Sequence, residues 1–347
     1  MSRRLSPWVV VPACCAVGMV FRPGPWRWPA PLELIESAGP SPAMGEAEVV
    51  AYYERASRAF RAAMRATPLE EHDRLIEQQV MLFARLVGHG ASAAERRVAE
   101  RVLRAAMAAE EVRRVQVALR FDLAVLLKRR SEVGPRQPLA ESRRLSAEAL
   151  GHFRRLVADY PETATLAPDR ARIERAAIVE LERLAVGLEA PDLLGEGLDG
   201  LPARLSSDRG RVVLIEVWGY CGVLLQQSYD EERALSARLA GRPFAMIGLG
   251  SGRDRPGLEG SLRLVDPPWK TVLFDVDGRD ATIAPAWRGS PWPAVYLLDH
   301  RGVIRWKRVY ERFDAADLDD AVDLLLADCE RDRAGRGARR VASTDDR

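Results

Sequence analysis

Cysteine is scarce in this chain of 347 residues, which holds only Cys14, Cys15, Cys221 and Cys329. The first two fall in a leader-like segment and the other two lie far apart, so the spacing excludes the disulfide framework of a small secreted domain. Separate thiols are favoured over a Cys221–Cys329 disulfide. Histidine is also scarce, and its four positions show no metal-ligand spacing. The sequence therefore predicts no metal site and no cofactor.

An excess of one charge is lacking as well, because 52 lysine and arginine residues face 50 aspartate and glutamate residues. Arginine pairs such as Arg96-Arg97 and Arg143-Arg144 stand beside acidic neighbours and without an aromatic stacking platform. Such a pattern is typical of a solvated, salt-bridged helix surface rather than of a phosphate-binding one. We therefore expect no nucleic-acid partner.

Long hydrophobic runs are also missing. Residues 1–45 begin with Arg3 and Arg4 and continue into an apolar stretch at 7–21, which is too short for a comfortable membrane span. Read as a secretory leader, this segment predicts an extracytoplasmic protein, periplasmic or membrane-associated. Pro12 interrupts the stretch and no clean cleavage site follows it. The alternative is therefore a disordered start without a targeting role, and a cytoplasmic protein.

Residues 46–188 carry a helical pattern. Apolar residues recur three and four positions apart, as at Tyr53, Ala56 and Phe60, which gives each segment one apolar stripe and one charged face. Further helices are predicted at 93–109, 111–130, 139–160 and 168–186, separated by glycine and proline breakers. Helices of this kind predict an antiparallel bundle.

The pattern changes after Glu189 to short apolar runs separated by glycine-rich turns, which is typical of alternating strands and helices. Strands are predicted at 212–217, 244–249, 271–274, 294–298 and 303–309, and helices at 224–239 and 315–328. The charged residues 331–347 are predicted to form a disordered tail. The chain thus divides into a leader at 1–45, a helical bundle at 46–188, an α/β domain at 189–330 and the tail.

Several short motifs of the α/β domain occur in a recognisable order. Ala190-Pro191-Asp192 comes first, Arg211-Val212-Val213-Leu214 and Trp218-Gly219 follow, and Trp292-Pro293-Ala294-Val295 comes last. In this order they resemble the TlpA/ResA-like branch of the thioredoxin superfamily, whose redoxin-type members are bacterial thiol-disulfide oxidoreductases. The resemblance implies a thioredoxin-like α/β fold, a central mixed sheet flanked by helices, and a protein or peptide thiol as partner.

The resemblance also implies where a site lies. Trp218 is similar to the tryptophan that precedes the family's C-x-x-C motif, and Pro293, after Trp292, is similar to its cis-proline. These three residues are the candidate substrate-binding residues. Cys221 is the one cysteine in the segment where the family carries two, which makes it the candidate catalytic residue.

Two registers of the motif remain open. If the loop is one residue short, Cys221 holds the attacking position and lacks a resolving partner. If no gap is allowed, Gly222 and Leu225 stand where the two cysteines belong, and the helix that follows fits this register better. In both registers the dithiol cycle is lost, because it needs a low-pKa thiolate at a helix start and a second cysteine that resolves the mixed disulfide.

Two functions remain open for such a degenerate site. The first is binding or scaffolding of a protein partner by a fold that is retained although its redox activity is lost. The second is monothiol-disulfide exchange by Cys221. A peroxiredoxin mechanism is disfavoured, because Leu214 and Trp218 stand where that mechanism needs a proline and a hydroxyl.

Overall fold

The computed structural model describes residues 44–345, except for 88–92, 133, 163–164, 166, 198–200, 220–225, 253–259, 261–268, 276–286, 288–293 and 310–314. The predicted leader lies outside the described residues, and so do Cys221, Trp292 and Pro293. Among the helices that the structure describes, none has the length and apolar character needed to cross a membrane.

The described residues up to 183 form six α-helices. They are α1 (Glu46–Ala66), α2 (His72–Ala84), α3 (Ala93–Ala109), α4 (Arg113–Ser131), α5 (Leu139–Asp159) and α6 (Pro168–Arg183). Their apolar stripes meet in one core, where Phe60, Leu123 and Phe153 are fully buried. The predicted helical bundle is thereby confirmed, and we call residues 46–188 the helical region.

The rest of the described chain builds a mixed sheet. Its strands are β1 (Leu194–Gly197), β2 (Pro202–Arg204), β3 (Val212–Gly219), β4 (Phe244–Gly252), β5 (Lys270–Asp275), β6 (Ala294–Leu298) and β7 (Ile304–Val309). They lie in the order β2-β1-β5-β4-β3-β6-β7, with β3, β4 and β5 parallel and the other pairs antiparallel. Helix α7 (Gln226–Arg238) follows β3, and α8 (Ala315–Asp345) follows β7. We call residues 189–345 the sheet region.

Alternation along β3 divides its side chains between two apolar layers. Val213 and Ile215 pack into the layer that also holds Trp287. Val212 and Leu214 pack into the opposite layer, together with apolar residues of α7 and α8. Both faces of β3 are therefore buried, which explains why its sequence is a nearly continuous apolar run.

The outer edge of the sheet at β7 is covered by the segment that links the two regions. Gly187 N donates to Ile304 O at 2.7 Å, and Ile304 N donates to Leu188 O at 2.9 Å. Ala190 N donates to Gly302 O at 2.9 Å. The link thus satisfies backbone groups that an edge strand would otherwise expose.

The hydrophobic pattern of the sequence does not predict the hairpin of β1 and β2. The two strands have four and three residues, too few for an alternating pattern to be recognised. They pair antiparallel, with Gly195 opposite Ala203.

The C-terminus differs from the sequence prediction of a helix that ends at 328 and a disordered tail at 331–347. Helix α8 continues through Asp345, so the tail prediction is wrong over most of its length. Asp332 accepts a hydrogen bond from Arg301 at 2.7 Å and lies 2.9 Å from His300 Nε2, while Arg333 donates to Gly210 O at 2.9 Å. These contacts hold the added turns against the sheet, and the glycines of this segment weaken a helix without ending it.

Candidate functional site

Two strand ends frame the predicted site. β3 ends at Gly219, and α7 begins at Gln226. β6 runs antiparallel to β3, with its first residue Ala294 opposite Val217. The chain therefore leaves β3 towards Cys221 at the same end of the sheet at which it enters β6 from Pro293.

The structure places one of the four predicted site residues. Trp218 lies in β3, where it pairs with Gly250 of β4. Cys221, Trp292 and Pro293 lie outside the described residues, so their roles stay predictions. The described elements next to these residues are β3, α7 and β6, and the structure brings the end of β3 and the start of β6 to the same end of the sheet.

Cys329 is a buried thiol of α8, and its Sγ lies 3.4 Å from Gly210 O, before the start of β3. Cys221 lies outside the described residues, so the preference for separate thiols over a Cys221–Cys329 disulfide stays a prediction.

A pair of buried carboxyl groups lies beneath this end of β3. Glu216 of β3 and Glu232 of α7 are 5% and 2% exposed, and their side chains are hydrogen-bonded to each other. Glu216 follows Val212 and Leu214 on the face of β3 that α7 covers, which brings the two carboxyls together. The Oε2 atom of each has no hydrogen-bond partner among the described residues.

Burial controls the protonation of this pair. It raises the pKa of Glu216 to about 7, although the hydrogen bond with Glu232 lowers it in part. The pKa of Glu232 is raised to about 10, first by burial and then by the neighbouring charge of Glu216 and their hydrogen bond. Two adjacent carboxyls in an apolar site cannot both ionise easily, so the pair holds at least one proton at neutral pH.

The neighbours of Glu216 in the sheet are small or apolar. Gly248 of β4 pairs with it on one side and Val295 of β6 on the other. The ring of Trp269 lies against Gly248, so closely that an added Cβ would come within 3.0 Å of ring atoms. A glycine is therefore required at this central position.

Trp287 anchors the chain shortly before β6. It is fully buried, and its Nε1 donates to Pro191 O at 2.9 Å. Its ring packs edge-on against Tyr296 of β6, with centroids 5.4 Å apart. This contact ties the start of the sheet region to the approach to the site.

The buried carboxyl pair is able to hold and release a proton. Within the described ranges there is no group of three or more histidine, cysteine, aspartate or glutamate residues that could hold a metal ion. Sequence reasoning missed Glu216, although a single charged residue in an apolar strand is a usable signal. Its partner Glu232 carries no such signal, because α7 has several other charged residues.

The strand order and directions decide the fold class. Parallel β3 and β4 are followed along the chain by the antiparallel strands β6 and β7, with α7 and α8 packed on one face. The sheet region has a thioredoxin-like fold. The fold class expected from the sequence motifs is confirmed.

Comparison with known proteins gives matches among solved structures. No protein-family model matches the chain, and no curated protein matches it. The thioredoxin domain of a thiol-disulfide oxidoreductase from Bacteroides vulgatus is 20% identical and covers 41% of this chain and 99% of its own, with a TM-score of 0.36. A thiol:disulfide interchange protein from a Bacteroides species is 21% identical and covers 42% of this chain and 91% of its own, with a TM-score of 0.36.

A third match is an exposed lipoprotein thioredoxin from Streptococcus pneumoniae. It is 16% identical and covers 39% of this chain and 100% of its own, with a TM-score of 0.33. These structures correspond to the C-terminal part of the chain.

Proposed function

We propose that this protein uses a thioredoxin-like fold to bind or scaffold a protein partner, and that it has lost dithiol exchange. The observation that carries the proposal is the segment between β3 and α7, which holds Cys221 and no second cysteine. Exchange through an intramolecular disulfide needs two thiols within one helical turn. The fold is retained while this requirement is not met.

The partner class follows from the position of the site. The site lies where β3 ends and β6 begins, and in the family that the sequence resembles the backbone beside the cis-proline can pair with an extended substrate segment. In this proposal Trp218, Trp292 and Pro293 contact an extended protein segment. The expected location is extracytoplasmic, in keeping with the leader-like segment and with the exposed lipoprotein thioredoxin among the matches.

The competing function is monothiol-disulfide exchange by Cys221. It is supported by the place of this cysteine shortly before α7, because a thiol near a helix N-terminus has a lowered pKa and increased reactivity.

Restoring the missing cysteines tests the proposal and the register together. We expect no reduction of a protein disulfide by the wild-type protein, and activity in the Gly222→Cys/Leu225→Cys variant if the ungapped register is correct. Leu224→Cys, which creates a C-x-x-C with Cys221, is the matched variant for the gapped register. Turnover of insulin disulfides with a dithiol reductant provides the measurement.

Cys221→Ser separates the two functions. Disulfide-exchange activity in the wild type that disappears in Cys221→Ser would overturn the binding proposal in favour of monothiol exchange. A Cys221 alkylation pKa near the unperturbed value of about 8.5, together with inactive wild type and an active double-cysteine variant, would support the loss of redox function on an intact scaffold.

A further inference from the structure

Four charged side chains form a closed square between the two regions: Glu132, Glu180 and Lys307 are buried, and Lys128 is 13% exposed. Lys128 Nζ lies 2.8 Å from Glu132 Oε1 and 3.1 Å from Glu180 Oε2. Lys307 Nζ lies 2.6 Å from Glu180 Oε1 and 3.4 Å from Glu132 Oε1. Each ammonium thus faces both carboxylates, and the two positive charges balance the two negative ones.

The square joins elements that are distant in sequence. Lys128 and Glu132 lie at the end of α4, Glu180 lies in α6, and Lys307 comes from the middle of β7. The Lys307 side chain is completely buried, and its Nζ also donates to Leu184 O at 3.0 Å. All three donors of this ammonium therefore have acceptors on the helical region or on the link that follows it.

The choice of lysine here departs from the composition of the chain. Lysine occurs three times in the whole sequence, at Lys128, Lys270 and Lys307, and arginine supplies every other basic side chain. Two of the three lysines therefore meet in this one cluster. A compact ammonium with three donors can face two carboxylates and a backbone carbonyl at once, as Lys307 does here.

The electrostatics favour the charged form of the square. Burial alone would lower the pKa of Lys128, but the charges of Glu132 and Glu180 outweigh it and raise that pKa. Burial alone would raise the pKa of Glu180, but Lys128 and Lys307 outweigh it and lower that pKa. The mutual attraction of the four groups thus offsets the cost of removing them from water.

The helical region also contacts the opposite face of β7, the strand that carries Lys307. Gly134, in the connection between α4 and α5, packs against the ring of Trp306, the residue before Lys307. Arg136 of that connection pairs with Asp320 of α8 at 3.0 Å, but these side chains are 73% and 68% exposed. β7 is therefore contacted on both faces by the helical region.

We propose that the square of Lys128, Glu132, Glu180 and Lys307 locks the helical region onto β7, so that the two regions unfold as one cooperative unit. The helical region is then a fixed part of the scaffold rather than a tethered module. β7 pairs with β6, so the lock also fixes the strand on which the predicted site depends.

Tryptophan fluorescence and circular dichroism can follow the two regions separately in the full-length protein. The chain has no tryptophan between residues 44 and 188, whereas Trp287 and Trp306 are buried in the sheet region. Far-ultraviolet circular dichroism is dominated by the helices. In the wild type we expect the two signals to give the same melting midpoint, which is the test of a single cooperative transition.

Removing one of the four charges should separate the two melting midpoints. Lys307→Met leaves a net negative charge buried in the square, so we expect the fluorescence midpoint to fall by about 5–10 °C and to separate from the circular dichroism midpoint. Glu180→Gln, on the other side of the interface, should separate the signals as well. The matched control is Arg136→Met, which removes an exposed pair across the same interface and should shift neither midpoint by more than about 2 °C.

A double variant distinguishes the lock from general damage. Lys307→Met/Glu180→Met leaves Lys128 and Glu132 as a balanced pair, so it should regain most of the lost midpoint and the coincidence of the two signals. The proposal is overturned if the wild-type signals do not coincide. It is also overturned if Lys307→Met behaves like Arg136→Met, or if the double variant is less stable than both single variants.

Discussion

The carboxyl of Glu232 on α7 is hydrogen-bonded to the carboxyl of Glu216 in the central strand β3, and both side chains are almost completely buried. A protonated donor is needed for one carboxyl to bond another. The junction between β3 and α7, where the family resemblance implies a redox site, is therefore built on a pair of groups that share a proton. Loss of that proton places two like charges in an apolar layer.

The first prediction concerns pH. Both pKa values are raised in the folded protein, to about 7 for Glu216 and about 10 for Glu232, above the value of about 4.3 for an unfolded chain. The folded state therefore binds protons more tightly, and this contribution to stability is complete below the unfolded pKa and is lost as the pH rises through the folded values. The free energy of unfolding, measured by urea denaturation, should fall by roughly a few kcal/mol between pH 5 and pH 9.

Glu232→Gln keeps a hydrogen-bond donor for Glu216 and removes one titration, so it should flatten this pH dependence. Glu54→Gln is the control, because Glu54 is exposed and its pair with Arg58 at 4.0 Å is weak. A wild-type stability that rises from pH 5 to 9, or a Glu232→Gln profile equal to that of Glu54→Gln, would contradict the assignment.

The second prediction compares two glycines. Gly248→Ala places a Cβ against Trp269 in the middle of the sheet, where neither backbone nor indole can easily move, and should cost about 1–3 kcal/mol. Gly151→Ala, inside α5 with nothing within 4 Å of the new Cβ, should stabilise by about 0.5–1 kcal/mol. Urea unfolding of both variants should show opposite signs, and a neutral Gly248→Ala would disprove the close packing.

Local pattern was sufficient to predict most elements of this fold. The strand at 294–298 and the helix at 93–109 have the predicted bounds, because an apolar run between turns and an amphipathic stripe are encoded by adjacent residues. Contacts between distant residues could not be predicted in this way. Lys307 meets Glu180 only because β7 lies at a sheet edge that the helical region covers, and nothing near either residue in sequence indicates the other.

The same limit applies to the candidate site. Trp218 and Cys221 are predicted site residues because of the family resemblance of the motifs around them. Glu232 is one of several charged residues on α7 and is distinguished only by the face it presents to β3. The helical tail was missed for a similar reason. The turns beyond 328 are held by His300, Arg301 and Gly210, none of which is a neighbour in sequence.

The third prediction tests the anchor before β6. Trp287→Ala removes a fully buried indole and its hydrogen bond to Pro191 O, and should destabilise the protein by about 3–5 kcal/mol. Trp287→Phe retains much of the ring volume, so its cost should be smaller and should reflect mainly the lost hydrogen bond. Leu201→Ala, at an exposed apolar position, should change stability by less than about 0.5 kcal/mol. Equal effects of the two Trp287 variants would show that packing against Tyr296 contributes little.

The last prediction concerns the helical tail. The charges and hydrogen bonds of Arg301 and His300 lower the pKa of Asp332 to about 2, so its carboxylate stays charged at any ordinary pH. Asp332→Ala removes the contact between α8 and the turn before β7, and should lower the melting midpoint and speed amide exchange in α8 beyond residue 328. Arg331→Ala is the matched control, because Arg331 pairs only with Asp328 of the same helix, at 3.0 Å. Equal exchange rates in the two variants would mean that the tail is helical without being held by the sheet.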